Sequence, residues 1–338
     1  MNLSEEFDFH GIGLRLNATA SFRENVFLKL KTDFSFARQI INKEPEISIV
    51  LKEPSTSDGQ NLRGVPLFKT PICRVYGKGR HRICDYGGGT QVHALNYGGK
   101  RNFEIFSEDE NLLYEVAYTL ILSSVGEALD LKGYHRVHGL GFSFKDLTYL
   151  LILPSGGGKS ALATLLREKQ GVKFFSDETP LIKKGVMYPF PLRVSMVPRV
   201  AQALGVEIKD KHIFKRKIYP EKILIPWNDS EVDSPRRLDG ILVGKFIDPI
   251  NGKPQISPAG QTLGLRGLVH SMVVGIGVAQ MAEHMLRLNA LGGLSRIGAS
   301  RAKEAVISSL NSKSFSFLLG RDARENASVL EEFIDSRE

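Results

Sequence analysis

The chain has 338 residues, enough for one large domain or two ordinary ones, since domains run roughly 100 to 200 residues. Hydrophobic residues make up 42% and charged residues 24%, the balance of a folded, water-soluble protein rather than a disordered or fibrous one. A formal net charge of +8 favours phosphate-bearing ligands, from nucleotides to nucleic acid, without choosing between them.

No run reaches the roughly 18 apolar residues of a membrane helix. The start, MNLSEEFDFHG, is acidic where a signal peptide is basic and then apolar, so no membrane partner and a cytoplasmic location are expected. Cys73 and Cys84 stand outside any zinc-like cluster of His and Cys, and are expected to be reduced, buried thiols.

Through the first hundred residues the short apolar runs GIGLRL, EISIVLKE, ICRVYG, HRICDY and NFEIF alternate with Gly-, Pro-, Asn- and Ser-containing breaks, the pattern of a small sheet. Gly87, Gly88 and Gly89 resemble a phosphate loop, but neither Lys nor a helical pattern follows, so they predict a turn between strands. From Ser107 the texture changes. Ser107 can cap a helix, Glu108, Asp109 and Glu110 suit its positive end, and apolar residues recur at helical spacing until Gly133. The expected organisation is a β-rich N-terminal region over 1–132 that ends in this helix, and a second domain over 133–338.

HRVHGLGFSF and LTYLLILP, joined by Lys145 and Asp146, predict two strands, the second nearly all apolar as a fully buried strand is. The second runs directly into PSGGGKS, and KSALATLLREK reads as a helix. VKFFSDE predicts a strand ending in two acids, GVMYPFPLRV continues the β pattern, and RLDGILVGKFID is a further strand. GVAQMAEHMLRLN and RAKEAVISSL read as helices, and SFSFLLG with DARENASVLEEFID as a closing strand and helix. Residues 200–235 show no clear period. Within them KDKHIFKRK, 209–217, reads as a solvated basic loop or a lining for acidic ligands ahead of an RNA-binding segment.

Phosphate oxygens need several donors converging on a small volume. Glycines let backbone N–H groups point inward with no Cβ in the way, and a following helix adds its positive end. Gly156, Gly157 and Gly158 supply the first feature, Lys159 suits the β and γ phosphates, and the Ser160 hydroxyl suits Mg²⁺. The full pattern G-x-x-x-x-G-K-[ST] wants glycine where Leu153 stands, and Leu153 reads instead as the last residue of the buried strand. Asp177 and Glu178 can take a hydroxyl proton and hold a metal, or stand as ordinary surface acids. His138 alone reads as a core histidine.

Together VHGLGFSFKDLTYLLILPSGGGKSALATLL and VKFFSDETPLI resemble the catalytic domain of the HPr kinase/phosphorylase family and its HPr-kinase-related members, over about residues 134 to 200. That family has a His-Gly pair at the head of a strand, a second strand into an S-G-x-G-K-S loop, a helix, and a strand ending in two acids. The matching residues are His138-Gly139, Ser155 to Ser160, and Asp177-Glu178. The resemblance implies an α/β fold, an HPr kinase-like P-loop catalytic domain with a mixed sheet, preceded by a smaller β-rich α+β domain. It implies ATP and Mg²⁺, with catalytic roles for His138, Asp177 and Lys159. It assigns phosphate contacts to Pro154, Ser155, Gly156, Gly157, Gly158, Lys159, Ser160 and Ala161, and metal contacts to Ser160 and Glu178.

The implied activity is an ATP-dependent phosphotransferase acting on a serine hydroxyl of a protein or peptide, with no nucleic acid partner. HPr kinases assemble into rings, so a homo-oligomer is a further implication. A nucleotide-gated ATPase without an acceptor and a small-molecule kinase are the alternatives. Two departures from the family stand out. Its second acid is usually Asp, and here it is Glu178; LRVSMVPRVAQALG occupies the place of an E-[IV]-R-G-type segment without an equivalent acid. The resemblance therefore does not extend to the reverse, phosphorylase reaction, and because the N-terminal region does not look like the usual partner domain of an HPr kinase, it does not extend to HPr itself as acceptor.

Overall fold

The computed structural model describes residues 2–19, 24–41, 44–53, 65–78, 81–97, 100–154, 156–209, 213–218, 220–247, 253–275 and 291–337. They form two compact units, the first from Met1–Leu129 with Lys215–Pro220, the second from Asp130–Phe214, Glu221–Ala279 and Leu288–Glu338. Both combine helices with sheets, giving a mixed α/β architecture.

The first unit holds β1 (Asn2–Phe9), β2 (Ile12–Thr19), α1 (Glu24–Asp33), β3 (Ile47–Lys52), β4 (Phe68–Lys69), β5 (Arg74–Lys78), β6 (His81–Gly87), β7 (Thr90–Tyr97) and β8 (Lys100–Phe106). The strands make one sheet in the order β1-β2-β3-β8-β7-β6-β5-β4, with β3 parallel to both β2 and β8. In β3 the burial alternates, with Ile47, Ile49 and Leu51 at 0% exposure, so one face carries the core. All five apolar runs read from the sequence fall in strands, but the sheet is larger than they predict. TQVHALNY, too polar to stand out, forms β7, and ENVFLKLKTD forms α1. Gly87, Gly88 and Gly89, all at positive φ, turn β6 into β7. Cys73 and Cys84 are buried and form no disulfide.

The long helix is α2 (Glu110–Leu131), and its cap differs from the expected one. Asp109 Oδ1 accepts the amides of Asn111 and Leu112, at 3.0 and 3.1 Å, while the Ser107 hydroxyl accepts the Asp109 amide one turn earlier. A carboxylate satisfies two first-turn donors and also complements the helix dipole, which a hydroxyl cannot do. By length and hydropathy α2 could cross a membrane, contrary to the absence of such a run read from the sequence. Its most apolar stretch is 78% buried inside the protein, as a core helix is.

The second unit contains β9 (His135–Arg136), β10 (Leu140–Phe144), β11 (Leu147–Ile152), α3 (Lys159–Leu166), β12 (Val172–Ser176), β13 (Leu181–Lys183), β14 (Val186–Tyr188) and β15 (Val194–Met196). It continues with α4 (Pro198–Ala203), β16 (Ile213–Phe214), β17 (Lys222–Ile225), β18 (Arg236–Arg237), β19 (Gly240–Phe246), β20 (Gln255–Ala259), α5 (Gln261–Leu268), α6 (Leu291–Asn311), β21 (Lys313–Leu319) and α7 (Ala323–Asp335). The helix expected over GVAQMAEHMLRLN lies outside the described residues.

Its main sheet runs β12-β10-β11-β19-β21-β20, with β11, β19 and β21 mutually parallel and the rest antiparallel. The apolar monotony of β11 has a simple cause: both faces are covered. Tyr149 and Leu151 pack with Leu162, Leu166, Leu330 and Phe333 of α3 and α7, while Leu150 and Ile152 face Leu268, Met272 and Ala305. The stretch 135–144, one strand by its sequence pattern, is two. Gly139 separates β9 from β10 because a Cβ there would sit 2.9 Å from Leu150 Cδ1, and His138 lies in the bend between them. The segment without a clear period, 200–235, supplies α4, β16 and β17, and β15-β17-β16 form a small separate sheet.

Polar side chains fasten α6 to this unit. The β13–β14 turn, with Lys184 and Gly185 both at positive φ, gives its two amides to the Glu304 carboxylate at 2.9 and 2.8 Å. Asp130, wholly buried, accepts Arg301 Nε at 3.0 Å and Nη2 at 2.5 Å and faces His135 Nδ1 at 3.0 Å; Arg301 Nη1 also reaches the Met272 carbonyl at 2.8 Å. Burial alone would raise the Asp130 carboxyl, but His135 and Arg301 hold it below its usual value. Removing the Asp130 charge leaves the buried Arg301 guanidinium without its counter-ion. Asp130→Asn should therefore cost about 3–5 kcal/mol in urea-unfolding free energy, far more than a surface Asp→Asn change.

Candidate functional site

The turn that ends β11 is built from three glycines required for two different reasons. Gly156 and Gly158 have φ of 72° and 81°, where an L side chain costs roughly 1–2 kcal/mol. Gly157 is needed for space, because a Cβ would stand 2.8 Å from the Pro154 carbonyl oxygen, which accepts the Gly157 amide at 2.9 Å. Leu153, in the place of the pattern's first glycine, is buried in the core behind the loop. Gly158 precedes α3 and, among the described residues, no side chain caps that helix, so its first-turn amides face the loop without a side-chain cap there. Ser155 lies outside the described residues.

Lys159 and Ser160 open α3 beside the end of β12. Lys159 Nζ makes one long bond, 3.4 Å, to the Leu153 carbonyl; burial lowers its pKa, opposed by Glu178 and Asp177. Ser160 Oγ donates to Asp177 Oδ2 at 3.1 Å. The turn that presents Asp177 is fixed by Ser176, whose hydroxyl accepts the amides of Glu178 (3.3 Å) and Thr179 (3.0 Å). The Ser195 amide of β15 also points at Asp177 Oδ2, at 3.4 Å, and Asp177 Oδ1 is buried with no hydrogen-bond partner among the described residues.

These surroundings set the charges. Burial pushes Asp177 up from 3.8 to about 7, the adjacent Glu178 adds to the rise, and the bonds from Ser160 and Ser195 together with Lys222 oppose it. His138 moves the other way, from 6.5 to about 4, through burial and then Lys159, with Glu178 opposing. It is a neutral imidazole at neutral pH, and its Nδ1 is buried without a hydrogen-bond partner among the described residues. Backbone bonds hold it there: the His138 amide donates to Ser271 O and the Gly139 amide to Glu178 O, both at 3.2 Å.

His138, Gly156 to Ala161, Asp177 and Glu178 thus border one cleft of about 400 Å³, within the range of small-ligand sites. Pro154 is exposed at its edge of the loop and does not border it. The Ser160 hydroxyl meets Asp177 rather than the Glu178 carboxylate. Among the described residues no three His, Cys, Asp or Glu side chains gather as a metal centre. The Ser160 hydroxyl and the two carboxyl groups are nonetheless hard oxygen donors, and Mg²⁺ is characteristically held by one or two carboxylates plus the phosphates of a ligand.

Sequence reasoning missed the far wall of the cleft. Ser195, Met196, Val197, Val200 and Lys222 line it, and Lys222 Nζ donates to Ser195 Oγ at 3.0 Å. None of the described residues of the basic segment 209–217 lines the cleft. Among its described residues, Lys217 pairs with Asp109 at 3.2 Å and gives its amide to Glu115, Arg216 bonds the Pro220 carbonyl, and Lys209 pairs with Glu207. A larger hollow of about 510 Å³ in the first unit is bordered by Glu5, Glu6 and Arg38, but these carboxylates already bond Lys31, Arg38 and Arg15. Comparison with family models gave no match, and comparison with curated proteins gave none either.

The raised pKa of Asp177 makes its ionised form a burden on the folded state. Between about pH 4 and 7 the folded protein binds a proton there that the unfolded chain has lost, so this group's contribution to stability falls as pH rises through that window. In nucleotide-free protein, Asp177→Asn should be more stable than wild type by a few kcal/mol above pH 7, and the difference should vanish on approaching pH 4. Urea unfolding across that range measures it.

Proposed function

We propose that this chain is an HPr kinase-like, ATP-dependent phosphotransferase, with the glycine loop and Lys159 taking the phosphates of ATP and Asp177 facing the acceptor. The observation that carries the reading is the Ser160–Asp177 bond, which joins the start of the loop helix to the acid-bearing strand end in one cleft with His138. Three further features support nucleotide phosphates as the ligand. Among the described residues the loop has left-handed glycines and first-turn amides with no side-chain cap, Lys159 has one long hydrogen bond, and the buried Asp177 Oδ1 has no partner.

In this reading Lys159 and the loop amides hold the phosphate chain and offset charge that develops during transfer. Bound Mg²⁺, with Ser160 and Glu178 as its contacts, would supply charge neutralisation and alignment of the phosphates. Asp177 accepts the proton of the attacking hydroxyl, and a pKa about 7 suits a base that must be partly ionised at neutral pH. Neutral His138 adds no positive charge beside Asp177. The proposed acceptor is a serine hydroxyl of a protein or peptide.

Phosphoryl transfer from labelled ATP, to native lysate and to candidate acceptors, tests the reading. Wild type should label an acceptor. Lys159→Ala should lose ATP affinity, whereas Asp177→Asn should keep it and lose transfer by about 10²–10⁴-fold. The wild-type rate should climb as pH rises through about 7, because only ionised Asp177 accepts the proton. Unchanged ATP affinity in Lys159→Ala would remove the loop assignment. Release of phosphate to water that is indifferent to every acceptor would favour a nucleotide-gated ATPase, and labelling of a metabolite alone a small-molecule kinase.

A further inference from the structure

We infer that Lys222 is a second phosphate-contacting cation of the cleft, directed at the terminal phosphate of a bound nucleoside triphosphate. The inference rests on the nucleotide reading above and adds to it a residue outside any motif.

Lys222 opens β17, and the antiparallel pairing of β17 with β15 sets Leu224 against Ser195 and Ile223 against Met196. That register brings the start of β17 to the cleft, where the ammonium donates to Ser195 Oγ at 3.0 Å. Ser195 in turn directs its amide at Asp177 Oδ2, the oxygen that also accepts from Ser160. Lys222 therefore reaches the acid end of the cleft through a continuous chain of contacts, from a different element than the loop that carries Lys159. Its charge acts on His138, Lys159 and Asp177 alike.

The two ammonium groups share an unusual condition. Each is partly buried and each has a single hydrogen-bond partner among the described residues, a carbonyl for Lys159 and a hydroxyl for Lys222. An ammonium carries three donors, and a half-buried cation with one neutral partner gains from an anion placed against it. Two such cations facing one cleft fit an extended, multiply charged ligand better than a single phosphate. Lys159 and the loop amides lie where the inner phosphates of such a ligand would rest. Lys222, joined through Ser195 to Asp177, stands where the terminal phosphate meets the acceptor. The contact is therefore one that a nucleoside diphosphate lacks.

Equilibrium binding of Mg²⁺ with a non-hydrolysable ATP analogue, and separately with ADP, tests this on the full chain. Lys222→Ala should weaken analogue binding by about tenfold or more and leave ADP within about twofold, whereas Lys159→Ala should weaken both. Lys222→Arg should retain most of the preference for the triphosphate, and circular dichroism with thermal melting confirms that each variant is folded. If Lys222→Ala or Lys222→Gln, folded, binds both nucleotides as wild type does or loses both equally, the role given to Lys222 is wrong while the nucleotide reading stands. If wild type binds neither nucleotide, the nucleotide reading itself fails and this inference falls with it.

Discussion

One oxygen atom, Oδ2 of Asp177, ties the site together. It accepts the hydroxyl of Ser160 and faces the amide of Ser195, so a single buried carboxyl group links the start of α3, the end of β12 and the strand β15. Because the group is almost fully enclosed, its ionisation is disfavoured, and the two donors on Oδ2 only partly compensate. The protein tolerates this because the surrounding sheet is rigidly held. β11 is packed on both faces, and α6 is fastened by the Glu304 and Asp130 contacts. A buried, partly satisfied acid with a displaced pKa is more common at functional sites than in purely stabilising contacts.

The two buried titratable groups of the cleft are pushed in opposite directions by the same enclosure. Burial disfavours whichever form carries charge, so it holds a proton on Asp177 and removes one from His138. The result is a pocket whose imidazole is neutral and whose buried acid is only partly ionised at neutral pH, with Glu178, Lys159 and Lys222 also in its lining. In the most basic stretch of the sequence, 209–217, the described residues Lys209, Arg216 and Lys217 meet nearby carboxylates and a carbonyl.

Much of the second unit can be read directly from its residues, and the reason is local. LTYLLI must be enclosed on both sides, three glycines before Lys-Ser require a tight turn into a helix, and two acids after VKFFS must sit at a strand end. Lys159 and Ser160 follow from that order, whereas His138 and Asp177 stand out only through the family resemblance. Ser195 and Lys222 do neither, because they are 27 residues apart and meet only through pairing of two short strands whose register depends on side-chain alternation. The β7 strand escapes notice for a related reason: TQVHALNY gains its place from neighbours on either side rather than from its own hydrophobicity. Asp109 replaces Ser107 as the cap of α2 because several capping residues stand in a row there, and only geometry selects among them.

The excursion of Lys215–Pro220 into the first unit gives the gene an awkward anatomy. Glu115 on α2 takes the amides of Lys217 and Ile218, and the strand that begins with Lys222 follows almost at once. A fragment beginning at Asp130 would retain every motif residue of the cleft, yet it would leave that loop without the carboxylate that fixes its backbone. The segments that depend on one another are therefore spread more widely along the sequence than the cleft's motifs suggest. Splitting the gene at the end of the long helix would separate a loop from its anchor rather than divide one independent module from another.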